Sequence, residues 1–231
     1  MKRAVILAGG KGTRLKPYTL ALPKPLVPIN QKPILEIIIN QLINNGFGYI
    51  TIAVNHMADI IKAFFGDGSK WGIKIDYSIE KKPLSTMGPL RIIKDLPENF
   101  LIMNGDVLTD LDYSKFYNWH IKNKNLFTIS SFLREHIDDY GILEIDKSKK
   151  LINFKEKPKS TYNVSMGIYM ANKDILSYIP QNKFFGFDHL MDKLIKENQS
   201  IKVKTHSGYW LDIGRPEDYS RACDDLSKII K

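Results

Sequence analysis

The stretch RAVILAGGKGTRLKPYTLALPKPLVPI, residues 3–29, decides the fold. Its opening run Ala4-Val5-Ile6-Leu7-Ala8 is aliphatic and stops abruptly at glycine, the pattern of a strand buried on both faces of a sheet. Gly9-Gly10-Lys11-Gly12 then lets the backbone turn tightly and bring its N–H groups close to an anion, with Thr13 and Arg14 following. Arg14 carries a fixed fork of donors suited to phosphate, and Lys24 adds a second cation. Pro23, Pro25 and Pro28 stiffen the chain around Lys24. Together these residues describe a polyphosphate cradle, although the glycines taken alone suit a plain turn equally well. Spacing excludes two better-known glycine loops. A dinucleotide fingerprint begun at Gly10 needs glycine where Leu15 stands, and no Walker-type Gly-Lys-Ser/Thr run occurs.

Composition sets the outer bounds. The chain has 231 residues, 43% hydrophobic and 26% charged, enough to bury a substantial core as one large or two small domains. No uninterrupted apolar run of about 18 residues appears, so no membrane span is expected. Met1-Lys2-Arg3 leads straight into an apolar strand shorter than a signal h-region of roughly 7–15 residues, which makes the cytoplasm the expected compartment. The single cysteine, Cys223, rules out a disulfide framework and a cysteine-based metal site. The net charge of +9 comes largely from scattered lysines, with no arginine-rich run and no interleaved aromatics. It reads as a solvated basic surface that draws anionic substrates, and nucleic acid is not expected as a partner.

Further along, Pro33 opens a helix over 34–44 that Gly46 stops; 49–54 reads as a strand, 59–65 as a helix ended by Gly66, and 73–79 as a strand. Strand and helix alternating on short connections imply a mostly parallel sheet, with ligands at the carboxyl ends of its strands. A short helix is expected over 89–94. The buried run 100–103 delivers Asn104-Gly105-Asp106, where an aspartate beside a phosphate loop suits magnesium or, alternatively, a helix cap. Asp110 and Asp112 directly precede a helix over 113–122 and are the expected caps. Strand-like runs over 126–133, 141–145, 151–154 and 164–170 suggest a sheet extension with an antiparallel subregion. A helix over 188–198 and a strand over 201–205 follow. The last helix carries an apolar face (Ala222, Leu226, Ile229, Ile230) that serves either packing or a homodimer.

LAGGKGTRL followed by PKPLVPI resembles the signature of the sugar-phosphate nucleotidylyltransferases, which join a nucleoside triphosphate to a sugar 1-phosphate; the mannose- and heptose-1-phosphate guanylyltransferases are nearest in look. The resemblance runs from Arg3 to about Tyr219. It implies an α/β, Rossmann-like three-layer fold with a mixed, mostly parallel central sheet and a small antiparallel extension. One catalytic domain is expected, its nucleotide half at about 1–110 and its sugar-phosphate half at about 111–231, with no room for the C-terminal β-helix or acyltransferase domains of some relatives. It implies that Leu7, Ala8, Gly9, Gly10, Gly12, Thr13, Arg14, Glu80, Ser85, Thr86, Asn104 and Gly105 bind the nucleotide. Arg14 and Lys24 are the expected catalytic cations, and Asp106 with Asp212 the expected Mg²⁺ ligands, although an aspartate such as Asp212 also suits a simple turn. The sugar phosphate would meet Lys24, Gly141, Glu156, Lys157 and Ser165.

Two positions depart from the family pattern: Ser85 stands where glycine is usual and Ser165 where asparagine is usual. An ionised Glu80 only accepts hydrogen bonds, which suits the paired donors of guanine better than the single N–H of uracil or thymine, so GTP is favoured. Uridylyl, thymidylyl or cytidylyl transfer is the alternative, including to a non-sugar phosphate such as phosphocholine. A non-catalytic nucleotide-sugar binder is the reading from another class. The implied setting is nucleotide-sugar synthesis for cell-surface polysaccharide.

Overall fold

The computed structural model describes residues 1–229. The aliphatic run after Met1 forms β1 (Lys2–Leu7), and the proline-rich stretch closes into a minimal hairpin of β2 (Pro28–Ile29) and β3 (Lys32–Pro33). Then come α1 (Ile34–Asn44), β4 (Phe47–Val54), α2 (Ala58–Phe65) and β5 (Lys74–Ile79), close to the expected bounds. β6 (Asn99–Asn104) is followed by the short β7 (Val107–Thr109) and by α3 (Tyr113–Lys122). The second half holds β8 (Phe127–Ile137), β9 (Ile142–Ile145), β10 (Leu151–Lys155), β11 (Lys159–Asn172), α4 (Phe187–Lys196), β12 (Ile201–His206), β13 (Trp210–Asp212) and α5 (Pro216–Ile229).

Seven strands share one sheet in the order β12-β8-β11-β6-β1-β4-β5. β6, β1, β4 and β5 run parallel, β12 runs parallel to β8, and β11 is antiparallel to both of its neighbours. Outside it, β9 and β10 form the small antiparallel extension. Alternation along the strands builds two cores. Ala4, Ile6, Leu101, Met103, Ile168 and Met170 face one core, where α1, α2, α3 and α5 also bury their apolar residues. Val5, Phe100, Ile102, Tyr169 and Ala171 face the other, covered by Leu190 and Leu194 of α4. Helices on both faces of a mixed sheet give three layers.

Three local expectations change. Residues 89–94 do not form an α-helix; Gly88–Arg91 makes a short 3₁₀ turn in which Leu90 N–H donates to Met87 O and Ile92 N–H to Pro89 O. Asp112 caps α3 by accepting from Lys115 N–H at 2.8 Å, but Asp110 does not: its Oδ1 accepts from Tyr209 N–H at 2.6 Å and lies 2.7 Å from His206 Nε2. The expected strands 126–133 and 164–170 are longer, because β8 and β11 pair with each other from Phe127 opposite Ala171 out to Ile137 opposite Lys159. On the last helix, Ala222 is buried and Leu226 packs against the first core, which takes the packing alternative for those two. The Ile229 side chain and Ile230 lie outside the described residues. Among the described residues, no helix is long and apolar enough to cross a membrane.

Candidate active site

β1 is followed in space by β4 and β5 on one side and by β6 on the other, so the strand order reverses between β1 and β6. A crevice opens beyond the carboxyl ends of strands at such a switch point. Both glycine-bearing turns fall there. Gly105 N–H donates to Leu7 O at 2.9 Å, and Ala8 N–H donates to Ala53 O at 2.8 Å, which ties the ends of β1, β4 and β6 into one floor. Gly12 holds φ +62°, a left-handed conformation costly for other residues, and Thr19 Oγ1 donates to its carbonyl at 2.8 Å. A Cβ at Gly12 would come 3.1 Å from Cβ of Lys24, so the glycine loop lies directly against that lysine.

The crevice encloses about 380 Å³ and is lined by Leu7, Ala8, Gly9, Gly10, Lys24, Glu80, Ser85, Thr86, Asn104, Gly105 and Asp106, all expected from the sequence. Lys11, Pro25, Ala53, Asn55, His56, Pro83, Pro89 and Phe184 line it as well. Asn55 and His56 follow β4 directly, and the rule placing ligands at strand carboxyl ends points to them. Phe184 carries no signal of that kind; it arrives from far along the chain. Glu80 stands just past the end of β5, with its backbone N–H donating to Val54 O at 3.1 Å. Its Oε2 accepts from Leu84 N–H at 2.9 Å, and a Cβ at Gly9 would lie 3.1 Å from its Oε1. Burial pushes the Glu80 carboxyl up, against the hydrogen bonds from Leu84 and Asn55 that pull it down. Among the described residues it pairs with neither Lys81 nor Lys82; it braces the loop that follows.

The charged centre is built by a second pairing. β7 and β13 run antiparallel with Asp212 opposite Val107, and Ile213 N–H donates to Asp106 O at 3.0 Å. Asp106 and Asp212, far apart in sequence, thereby become neighbours. The turn after Asp212 is held by Asp218 Oδ2, which accepts from Gly214 N–H at 3.2 Å and Arg215 N–H at 2.9 Å. Lys24 Nζ donates to Asp106 Oδ2 in a close ion pair, while the buried Oδ1 has no partner among the described residues. The Asp212 carboxyl is raised above the ordinary carboxylate value by surrounding protein and by the Asp106 charge, with Lys24 and Arg14 acting to lower it. Arg14 therefore belongs to the Asp212 side, and its guanidinium lies near Gly214. Thr13 shares the 3₁₀ turn Thr13–Leu15 with Arg14 and is exposed.

The sugar-side residues divide. Ser165 sits at a break in the β8–β11 register, its Oγ accepting from Gly167 N–H at 3.3 Å. Gly167 has φ +73°, and a Cβ there would come 2.6 Å from Asn104 Nδ2; Trp210 Nε1 donates to Met166 O at 3.0 Å. This bulge is thus tied to the ends of both β6 and β13. Gly141 abuts Phe154 and Glu156 in the exposed extension. Gly141, Glu156 and Lys157 do not line the crevice that holds the nucleotide-side residues.

Residues 3–229 match the family described as Nucleotidyl transferase. A UTP–glucose-1-phosphate uridylyltransferase of Synechocystis sp. is 32% identical over 99% of this chain, which spans 64% of that protein's length. A D-glycero-alpha-D-manno-heptose 1-phosphate guanylyltransferase of Campylobacter jejuni is 35% identical over 94% of this chain and 96% of its own. The crystal structure of HddC from Yersinia pseudotuberculosis complexed with GMP-PN is similar with a TM-score of 0.75 and 33% identity, over 98% of this chain and 100% of that one.

Proposed function

This chain belongs to the nucleotidyl transferase family, and we propose that it joins a nucleoside triphosphate, GTP by preference, to a sugar 1-phosphate. A phosphate oxygen of the sugar 1-phosphate attacks the α-phosphorus in line, the α–β bridging bond breaks, and pyrophosphate leaves with the bridging oxygen. The observation that carries the reading is the meeting of the glycine loop, the Lys24–Asp106 pair and Asp212 at one switch point. Nothing in this chemistry needs a covalent enzyme intermediate; positioning and charge neutralisation supply most of the rate.

In this reading the backbone of Gly9 to Gly12 cradles the β- and γ-phosphates. Arg14 takes up the charge that develops on the departing pyrophosphate. Lys24 leaves Asp106 for the phosphates when substrates bind. Asp106 and Asp212 fit a magnesium ion: two carboxylates meet there, one oxygen of Asp106 is buried with no partner among the described residues, and Mg²⁺ is commonly held by one or two carboxylates plus substrate phosphates. Among the described residues no group of three or more His, Cys, Asp or Glu side chains is placed to hold a metal, so phosphates would complete the set. When bound, the ion would supply Lewis-acid neutralisation of phosphate charge.

Glu80 supports GTP through its acceptor-only carboxylate at the crevice wall, and the heptose-phosphate guanylyltransferase likeness supports the same choice. A mannose- or heptose-type 1-phosphate is the acceptor we favour, met by Lys24 and Ser165 and, from the extension, by Gly141, Glu156 and Lys157. Residues 1–110 and 111–231 then act as the nucleotide and sugar halves of one domain. A cytoplasmic setting and a product used in cell-surface polysaccharide fit that substrate pair. Pyrophosphate release, followed with magnesium across the common nucleoside triphosphates and a panel of sugar 1-phosphates, tests the reading. One productive pair containing GTP is expected; a productive pair containing UTP would overturn the nucleotide assignment, and silence throughout would favour a nucleotide-sugar binder.

A further inference from the structure

We propose that Phe184 is the aromatic face on which the nucleobase stacks, a wall of the nucleotide crevice contributed by the second half of the chain. The inference rests on the nucleotidyl-transfer reading. Residues 183–187 clasp the loop that follows Glu80. Phe185 N–H donates to Leu84 O at 2.9 Å, and Phe185 O accepts from Met87 N–H at 3.0 Å and Gly88 N–H at 2.9 Å. Phe187 N–H donates to Thr86 Oγ1 at 2.9 Å. These bonds fix the backbone immediately after Phe184.

Its ring nonetheless stays outside the core. Phe185 and Phe187 turn inward and pack on the second core, whereas Phe184 remains 63% exposed. The exposed ring lines the crevice beside Pro83, Ser85, Thr86 and Pro89, and it is the one phenyl, phenol or indole ring to do so among the described residues. A chain of contacts leads to it from the phosphate end. Gly9 lies beside Glu80, with little room for a side chain between them, Glu80 holds Leu84, and Leu84 holds Phe185. A base whose phosphates rest on the glycine loop and whose edge meets Glu80 therefore reaches the neighbourhood of this ring. A phenyl ring left in water at that place gains apolar burial when any base covers it, since every base presents a π face. Phe184 then supplies affinity without choice of base, and Glu80 supplies the choice.

The test uses the full chain, with GTP and inorganic tripolyphosphate as probes in calorimetric titrations. Phe184→Ala should weaken GTP about tenfold, the usual size of a base–aromatic contact, and leave tripolyphosphate within about twofold. Phe184→Trp should restore GTP binding, and the indole emission it adds over wild type should be quenched by GTP and not by tripolyphosphate. Equal GTP affinity in wild type and Phe184→Ala, or added emission indifferent to saturating GTP, would overturn the stacking role alone. Should wild type hold tripolyphosphate as tightly as GTP and release no pyrophosphate with any substrate pair, the transfer reading and the stacking role fall together.

Discussion

Lys24 occupies Asp106 in the structure, so a divalent ion at the proposed site would compete with this ammonium for the same carboxylate. On the proposed reading, replacing the lysine would remove the competitor and a phosphate ligand at once. Lys24→Met should therefore tighten Mn²⁺ binding without nucleotide by at least about tenfold, the size of one charge-assisted hydrogen bond, while pyrophosphate release falls. Electron paramagnetic resonance of free Mn²⁺ reads the first effect, and unchanged Mn²⁺ affinity would show that Lys24 does not guard the site. Among the described residues Arg14 makes no such pair. Arg14→Ala is expected to cost on the order of 10²–10³ in kcat, as removal of one preorganised donor does; near-full turnover in this variant would remove the role given to it. Glu80→Gln keeps an oxygen for Leu84 N–H and loses the charge facing the crevice. It should lower kcat/KM for GTP roughly tenfold or more while sparing UTP, because a bond to a charged group is worth about 1.5–3 kcal/mol. At this scale much was legible in the sequence: LAGGKGTRL and the lysine between prolines pointed to the glycine turn and the cation that line one crevice. The Lys24–Asp106 pairing was not, since a side chain's resting partner depends on strands brought together from distant segments.

The element that decides the charged centre is the two-strand ladder of β7 and β13, and Asp110 anchors it. Its Oδ1 accepts from Tyr209 N–H and lies within hydrogen-bond reach of His206 Nε2, just ahead of β13. Asp110→Ala strips that acceptor and should cost about 1–3 kcal/mol, and it should also weaken Mn²⁺ binding by letting Asp212 drift. Asp112→Ala, which removes the α3 cap and an exposed ion pair with Lys115, should cost about 1 kcal/mol in chemical denaturation and leave Mn²⁺ affinity and turnover unchanged. Equal Mn²⁺ affinities in the two variants would contradict the anchoring role. Both aspartates read as caps in the sequence because both stand just before a helix. Only the distant segment leading into β13, with His206 and Tyr209, separates them. The elements of the first half were legible from periodicity and glycine stops. The outer reach of β8 and β11 was not, because their pairing with each other extends both strands into polar sequence.

Across the whole molecule, two cores on opposite faces of one sheet include residues from both halves of the chain, and a buried histidine links their stability to pH. His120 lies fully buried, with Nδ1 2.8 Å from Thr128 Oγ1 and Nε2 3.2 Å from Asn99 Oδ1. Burial lowers it from its ordinary value of 6.5 to about 4. Below pH 6.5 the unfolded chain takes up the proton and the native protein does not. Stability is therefore complete above that pH and is lost as pH falls towards 4, by up to on the order of 3 kcal/mol. His120→Asn should flatten this acid limb when denaturation midpoints at pH 7 and pH 4.5 are compared; an acid limb as steep as wild type would assign the effect to other groups. The strand–helix alternation made the mostly parallel sheet legible, and the family resemblance implied its three layers. The wall that Phe184 adds was not, because the clasp joins loop segments with no periodicity. The central claim is that Asp106 sits at the centre of a nucleotidyl transfer. It is tested most directly by pyrophosphate release from GTP with magnesium and a heptose or mannose 1-phosphate, in wild type and in Asp106→Asn, with circular dichroism to show that both are folded. The account predicts turnover in wild type and a loss of about 10² or more in the folded variant, as for removal of a preorganised charge; equal rates in the two proteins would contradict it.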